Sequence, residues 1–437
     1  MNALPVHTRR RGWCPGVRRP MATGDGLLVR LHPFAGRLTA AGARLVAEAA
    51  RAHGNGHLDI TARGNLQIRG VSDETYPGLL ALLDRLGLAE PEGDGPHRLT
   101  VLSPLAGLDP LDRFDPMALA RAVESLGAVG NGLAGDGLPA KVFVAVDGGG
   151  AMPLDGLGAD LHLTAAGTGG VAFGVPSAGD LRGIGTASPA DAPDAVRAIL
   201  AGFAALRRTG GTEARRLRDL GPDLLDGLAA SAGLAPGPAT LRRGAPPRAG
   251  ILSAADGRAV LLALPFGRCR AGQLIRAAGW SERYGTGEIR LSFTRGILLP
   301  GLSDRDVPAL LDEARQAGFV TDPGDPCLSL IACPGRPDCA GAATPAPADA
   351  LRLAAACPDL LAGGVTVHVS GCPKGCAHPG SADLTLAGRP DGRYDVVLQG
   401  ATRDAPLLHL SLDELMIRLM PAKTSHDLGA AFPERSR

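Results

Sequence analysis

The chain reads as an α+β protein built on an internal duplication, and three observations carry that reading. A strand, helix, turn, strand pattern occurs twice, 231 residues apart and without a gap. Within each copy a helical apolar period gives way to strict alternation. Four of the eight cysteines form two short pairs beside strand-like segments in the last quarter of the chain.

The repeat is anchored on glycines. Gly36-Arg37 and Gly267-Arg268 are each followed, after the same interval, by a G-x-G, at Gly54/Gly56 and Gly285/Gly287. Upstream of each lies an apolar strand ending in Pro-Phe, Gly26 to Phe34 and Val260 to Phe266. In the first copy Thr39 can cap a helix, Leu45, Val46, Ala49 and Ala52 form its apolar stripe, and Gly54 can stop it. Leu58 to Thr61 and Ile289 to Ser292 alternate as strands and lead into Arg63-Gly64 and Arg295-Gly296, read as equivalent, before closing on Gly70 and Gly301. An offset of this size far exceeds the roughly 50 residues of solenoid periods, so it marks duplication of a domain.

Arg30 stands in the middle of the first apolar strand, where the second copy has an apolar residue near Leu262. It is either an edge-strand arginine turned to solvent or a clamp for an anion. Between the copies come a strand at Lys141 to Val146, a helix near Ala192 to Arg207 and a Pro- and Arg-rich link, Arg242 to Arg248. The expected division is 1–85 for the first repeat, 86–240 for an α/β domain, 241–320 for the second repeat and 321–437 for a second α/β domain holding the cysteine pairs.

Composition narrows the function. Lys plus Arg (45) nearly cancel Asp plus Glu (44), so no whole-molecule field would draw in nucleic acid or an anionic membrane. An anionic ligand therefore needs a local basic pocket. Apolar runs such as Ala259 to Phe266 fall short of the roughly 18 residues of a membrane span. Met1 to Arg19 carries Arg9, Arg10 and Arg11 without a signal-like apolar core, so a cytoplasmic protein is expected. Gly24-x-Gly26 lacks the strand-GxGxxG-helix context of a dinucleotide site.

Cys333 and Cys339 are spaced C-x5-C, and Cys372 and Cys376 C-x3-C. Pro and Gly fill both intervals, so the loops can aim backbone amides at cluster sulfurs. Structural zinc is the alternative, although its pairs more often use two- to four-residue gaps. Cys14, Cys269, Cys327 and Cys357 have no paired spacing and read as small buried hydrophobes. His378 is read as structural or supporting before it is read as a ligand.

With these residues in view, the chain resembles the siroheme-dependent sulfite and nitrite reductase superfamily, which carries the same cysteine motif and a duplicated ferredoxin-like half. Cys14-Pro-Gly16, Gly24 to Arg30, Ser103 to Asp109 and Gly371 to Pro379 resemble its precorrin-3B synthase branch. The resemblance implies an oxidoreductase, a monooxygenase of aerobic cobalamin synthesis that hydroxylates precorrin-3A at a meso carbon with dioxygen and forms a lactone. It implies a 4Fe-4S cluster on Cys333, Cys339, Cys372 and Cys376, room for a mononuclear non-haem iron, and an external electron donor such as NADH acting through a partner reductase.

Arg30 matches the first anion-binding arginine of the reductases and Arg98 falls near the second. Lys141 matches one of two active-site lysines, while Phe143 stands at the other, a departure that argues against sulfite reduction. Arg63 and Arg295 complete the expected substrate-binding set, Arg63 alternatively holding its own repeat together. Two further readings are a siroheme-dependent sulfite or nitrite reductase, with Cys376 bridging to siroheme iron, and a noncatalytic four-cysteine zinc or electron-transfer protein.

Overall fold

The computed structural model describes residues 14–91, 96–127, 137–167, 169–177, 180–237, 243–378 and 380–432. Arg9 to Arg11, Arg242 and Pro379 lie outside the described residues.

Among the described residues there are four five-stranded sheets. The first takes Met21–Thr23, Gly26–Leu31, Leu66–Val71 and His57–Ile60 from the first repeat, and the second takes Gly250–Ala254, Gly257–Ala263, Gly296–Leu302 and Glu288–Leu291 from the second. The fifth strand of each comes from the other copy. Arg268–Arg270 pairs antiparallel with His57–Ile60, and Arg37–Thr39 pairs antiparallel with Glu288–Leu291. Glycine permits the exchange, since a Cβ on Gly36 would lie 2.5 Å from the Leu291 carbonyl oxygen and one on Gly267 2.8 Å from that of Ile60. The two repeats consequently share one apolar core, with Val46, Leu58 and Ile68 of the first packed together with Leu274, Ile289 and Leu299 of the second.

The helix Ala40–His53 begins at Thr39, whose hydroxyl accepts from the Gly42 amide at 3.0 Å, and ends before Gly54. Its buried residues are Ala40, Ala43, Val46, Ala47, Ala49 and Ala50, so Val46 and Ala49 of the expected stripe are buried while Leu45 and Ala52 are exposed. The expected stripe was rotated because this helix meets both the sheet and the partner helix Ala271–Tyr284, which share its core. The strand read at Lys141 to Val146 starts later, at Val144–Asp147, because 140–141 turn.

The match between the two Arg-Gly pairs is one residue out. Gly64 (φ 66°) and Arg295 (φ 67°) occupy the same left-handed turn position, and both amides close that turn, onto the Thr61 and Ser292 carbonyls. Arg63 therefore corresponds to Thr294. By the same register Arg30, paired with Gln67, corresponds to Leu261, paired with Leu298.

The remaining two sheets repeat one another as well. Thr100–Leu102, Val144–Asp147 and Leu161–Ala166 run parallel and continue antiparallel into Gly170–Ser177 and Asp180–Ala187. Leu330–Ala332, Val367–Ser370 and Ala382–Gly388 run parallel and continue antiparallel into Tyr394–Gly400 and Leu408–Leu410. The first strand of each is followed by a helix, Pro116–Leu126 or Ala346–Ala356. The duplication thus extends beyond the half read from sequence.

Packing breaks the symmetry. In the second repeat Ala259, Leu261 and Leu298 are buried against Val101, Leu105 and Phe143 of the third sheet's domain. The equivalent face of the first repeat, with Arg30 and Gln67, lines a cavity instead.

Candidate functional site

All four parts of the chain contribute to one cavity of about 890 Å³, near the top of the ~300–1,000 Å³ range of ligand sites. Its lining carries six arginines and two lysines against a single carboxylate, Asp59. A net charge of +1 therefore conceals a strongly basic interior.

Arg30 lies on an interior strand of the first sheet, so it is not an edge residue. Its Nε and Nη2 donate to Gln67 Oε1 at 3.0 and 2.6 Å, which aims the guanidinium into the cavity without neutralising it. Burial lowers its pKa. Arg63 donates to the Lys141 carbonyl at 3.2 Å and stacks 3.8 Å above the Phe143 ring, so it ties two domains together rather than holding its own repeat. Burial first, then the charges of Arg216 and Arg30 against partial relief from Cys14 and Asp160, brings its pKa down to about 10. Phe143 is a platform for an arginine.

Arg98 donates to the His32 carbonyl at 3.1 Å and stands 3.7 Å from Glu124, so part of its charge is already answered. Lys141 lines the cavity from an exposed turn. Arg295 donates to the Ala377 carbonyl at 3.0 Å, just past Cys376, from a left-handed backbone position. That conformation is uncommon for a side chain of its size and collects at functional sites.

The four paired cysteines line the same cavity. Cys333 follows the strand Leu330–Ala332 and Cys372 follows Val367–Ser370, so adjacent parallel strands deliver the two loops side by side. The Gly371 amide donates to Cys333 Sγ at 3.0 Å. Burial raises the Cys376 pKa, and the neighbouring Cys372, Cys333 and Cys339 raise it further. Yet among the described residues no three His, Cys, Asp or Glu side chains converge closely enough to grip one metal ion. The four thiols, with an amide aimed at one sulfur, could hold a polynuclear iron–sulfur cluster. The same finding leaves a mononuclear iron without a protein ligand set among the described residues.

Several cavity residues escaped the sequence reading. Arg268 bonds Asp59 at 2.9 Å and Asp338 at 2.5 Å, tying the first sheet to the Cys333–Cys339 loop. Its Gly-Arg motif was visible, but its acidic partners were not. Arg69 reaches the Asp338 carbonyl from the other side at 3.5 Å. His32 and His97 stack at 4.9 Å, and burial, then His97 and three arginines, push the His32 pKa down to about 2. Cys14 also lines the cavity, so it is not simply a buried hydrophobe, whereas Cys269 and Cys357 are buried. His378 Nε2 stands 3.0 Å from the Ser381 carbonyl, to which it donates in the Nε2–H tautomer, and its ring lies 5.6 Å from that of His368.

Gly24 is the tightest contact between the first sheet and a cysteine loop. A Cβ there would sit 1.8 Å from the Ala340 nitrogen and 2.6 Å from the Cys339 Cα. Gly24→Ala is expected to push the loop away and lose most of the bound iron while far-UV circular dichroism stays near wild type. Full iron content in that variant would refute the contact's importance.

The nitrite/sulfite reductase ferredoxin-like half domain matches residues 19–86 and 252–317, the two repeats. The chain is 35% identical to a precorrin-3B synthase from Sinorhizobium sp. over 93% of its length and 86% of that protein's. It is 28% identical to the ferredoxin–nitrite reductase of Synechococcus elongatus, over 90% and 83% of the two lengths. The solved structure of the Mycobacterium tuberculosis NirA protein superposes with a TM-score of 0.73 at 22% identity, covering 90% of this chain and 79% of that one, which supports the shared fold.

Proposed function

Since the chain belongs to the precorrin-3B synthase family, we propose that it hydroxylates precorrin-3A at a meso carbon with dioxygen and closes a lactone, in aerobic cobalamin synthesis. The observation that carries this reading is that carboxylate-binding cations and four thiols face one cavity of about 890 Å³. In a monooxygenase one oxygen atom enters the substrate and the other leaves as water, so two electrons must come from outside. A 4Fe-4S cluster on Cys333, Cys339, Cys372 and Cys376 would accept such electrons singly from a donor, with NADH as the source through a partner reductase.

The rest falls to the chain's own residues. The macrocycle is flat and edged with carboxylates, and Arg30, Arg63, Arg98, Lys141 and Arg295 surround the space that would hold it. A carboxylate about 4 Å from a guanidinium gains roughly 1 kcal/mol in water and about 4 kcal/mol where the effective dielectric falls to ~20. Arg30, Arg63 and Arg295 keep their charge for a ligand because their hydrogen bonds are to neutral groups. His32, held neutral, can offer a hydrogen bond without adding charge.

No helix among the described residues is long and apolar enough to cross a membrane; the cytoplasmic location is part of this proposal. The four-part division of the chain likewise remains a proposal, qualified by the exchanged strands, which make the two repeats one packed body.

The test is anaerobic purification followed by precorrin-3A, a reductant and labelled dioxygen, with mass spectrometry of the product. Incorporation of one labelled atom is expected; none would end the proposal, and a siroheme spectrum would favour the reductase reading. Arg30→Leu is expected to weaken tetrapyrrole binding roughly 10- to 100-fold with iron and sulfide content unchanged. Equal affinity would remove Arg30 from the clamp.

A further inference from the structure

A second cavity, of about 180 Å³, adjoins the first, and Phe266 and Arg295 line both. Its walls are mostly apolar, with Leu264, Val320, Leu328 and Ile331 among them, and carry no Asp or Glu. Two arginines line it, Arg248 and Arg295. Arg248 donates to the Leu328 carbonyl and Arg295 to the Ala377 carbonyl, and among the described residues neither has an ion-pair partner. The acid acting on Arg295 is Asp59, already held by Arg268 at 2.9 Å and near Arg69 at 3.6 Å. Burial lowers the pKa of Arg248, and the charge of Arg295 lowers it further. Both arginines are half-buried, and two like charges facing an apolar space are unfavourable unless an anion joins them.

The backbone points to the same place. Phe266 and Arg295 hold φ values of 59° and 67°, where the first repeat has Ala35 and Gly64 in the same turns. Phe266 and Arg295 both line the partition between the cavities, and a bulky side chain at a left-handed position carries a strain cost of the kind that gathers at functional sites.

We propose that the side cavity is an anion subsite that takes one carboxylate, or an ion of similar size, between Arg248 and Arg295. Two sources share that chemistry. One is a side-arm carboxylate of a macrocycle in the main cavity, which rests on the function proposed above; the other is a free small anion from solution, which does not.

Bromide is the probe. Crystals of the cluster-loaded protein soaked in bromide are expected to show an anomalous peak between the two guanidiniums, lost in Arg248→Gln and regained in Arg248→Lys. Visible absorption of the cluster and the thermal midpoint verify that the variants are folded. No peak in the wild-type protein, or a peak that survives in Arg248→Gln, overturns the subsite. Uroporphyrin III, a macrocycle edged with carboxylates, separates the sources. If a side arm is the occupant, the porphyrin displaces bromide and Arg248→Gln weakens its binding about tenfold or more. If a free anion is the occupant, bromide stays and porphyrin affinity is unchanged. Failure of the wild-type protein to bind any porphyrin counts against the proposed function and leaves bromide to decide the subsite.

Discussion

Cys372→Ser is expected to remove both the bound cluster and turnover, the largest change any single substitution should produce in this protein. Cys372 sits two residues beyond the strand Val367–Ser370, and its neighbour Gly371 donates to Cys333 Sγ at 3.0 Å. On the proposed ligand set, one short segment would supply a ligand and tune another. Thiolates are soft ligands available near neutral pH, whereas a serine hydroxyl is a hard oxygen donor that holds its proton. Iron and acid-labile sulfide analysis, with the visible spectrum, measures the loss. A variant with full iron content and activity would sink the ligand assignment, and zinc in place of iron would favour the noncatalytic reading.

The second large effect concerns Asp25, whose carboxylate meets Arg69 at 2.6 Å with both side chains 6–7% exposed. Thr23 and Asn55 also donate to it, at 2.8 and 3.1 Å. Arg69 in turn holds the Asp338 carbonyl, so the pair buttresses the Cys333–Cys339 loop. Asp25→Ala leaves a buried guanidinium with only the more distant Asp59, and is expected to cost about 3–5 kcal/mol, read as a lower urea midpoint. An unchanged midpoint would show that Asp59 suffices.

The same pair sets a pH dependence. Burial raises the Asp25 pKa, but the hydrogen bonds from Arg69 and Thr23 outweigh it and leave the value below the ordinary one. A depressed carboxylate contributes its full stability above the unfolded value of about 3.9, and that contribution is lost as pH falls through the folded value. Acid unfolding of Asp25→Ala should therefore show less pH dependence below about pH 4 than the wild-type protein.

Much of this was legible in the chain. Thr39 and Gly54 bound their helix as expected, and the cysteine pairs sit at strand-to-loop junctions. The five basic residues singled out all line the cavity. The Arg-Gly match failed by one residue because a repeated letter pair is weaker than a repeated turn, and the turn places Arg295 opposite Gly64.

The sequence by itself determined the elements, the two-fold repeat and the paired cysteines, because caps, apolar periods and ligand spacings act over a few residues. Tertiary structure alone decided which strands cross between the repeats and which face stays open. Arg37 finds Glu288 at a separation of 251 residues and Arg268 finds Asp59 at 209, partnerships that no local pattern encodes. Two related sheet faces carry Arg30 with Gln67 and Leu261 with Leu298. The apolar face is buried against its neighbour because water disfavours it, and the polar face is left to line the cavity.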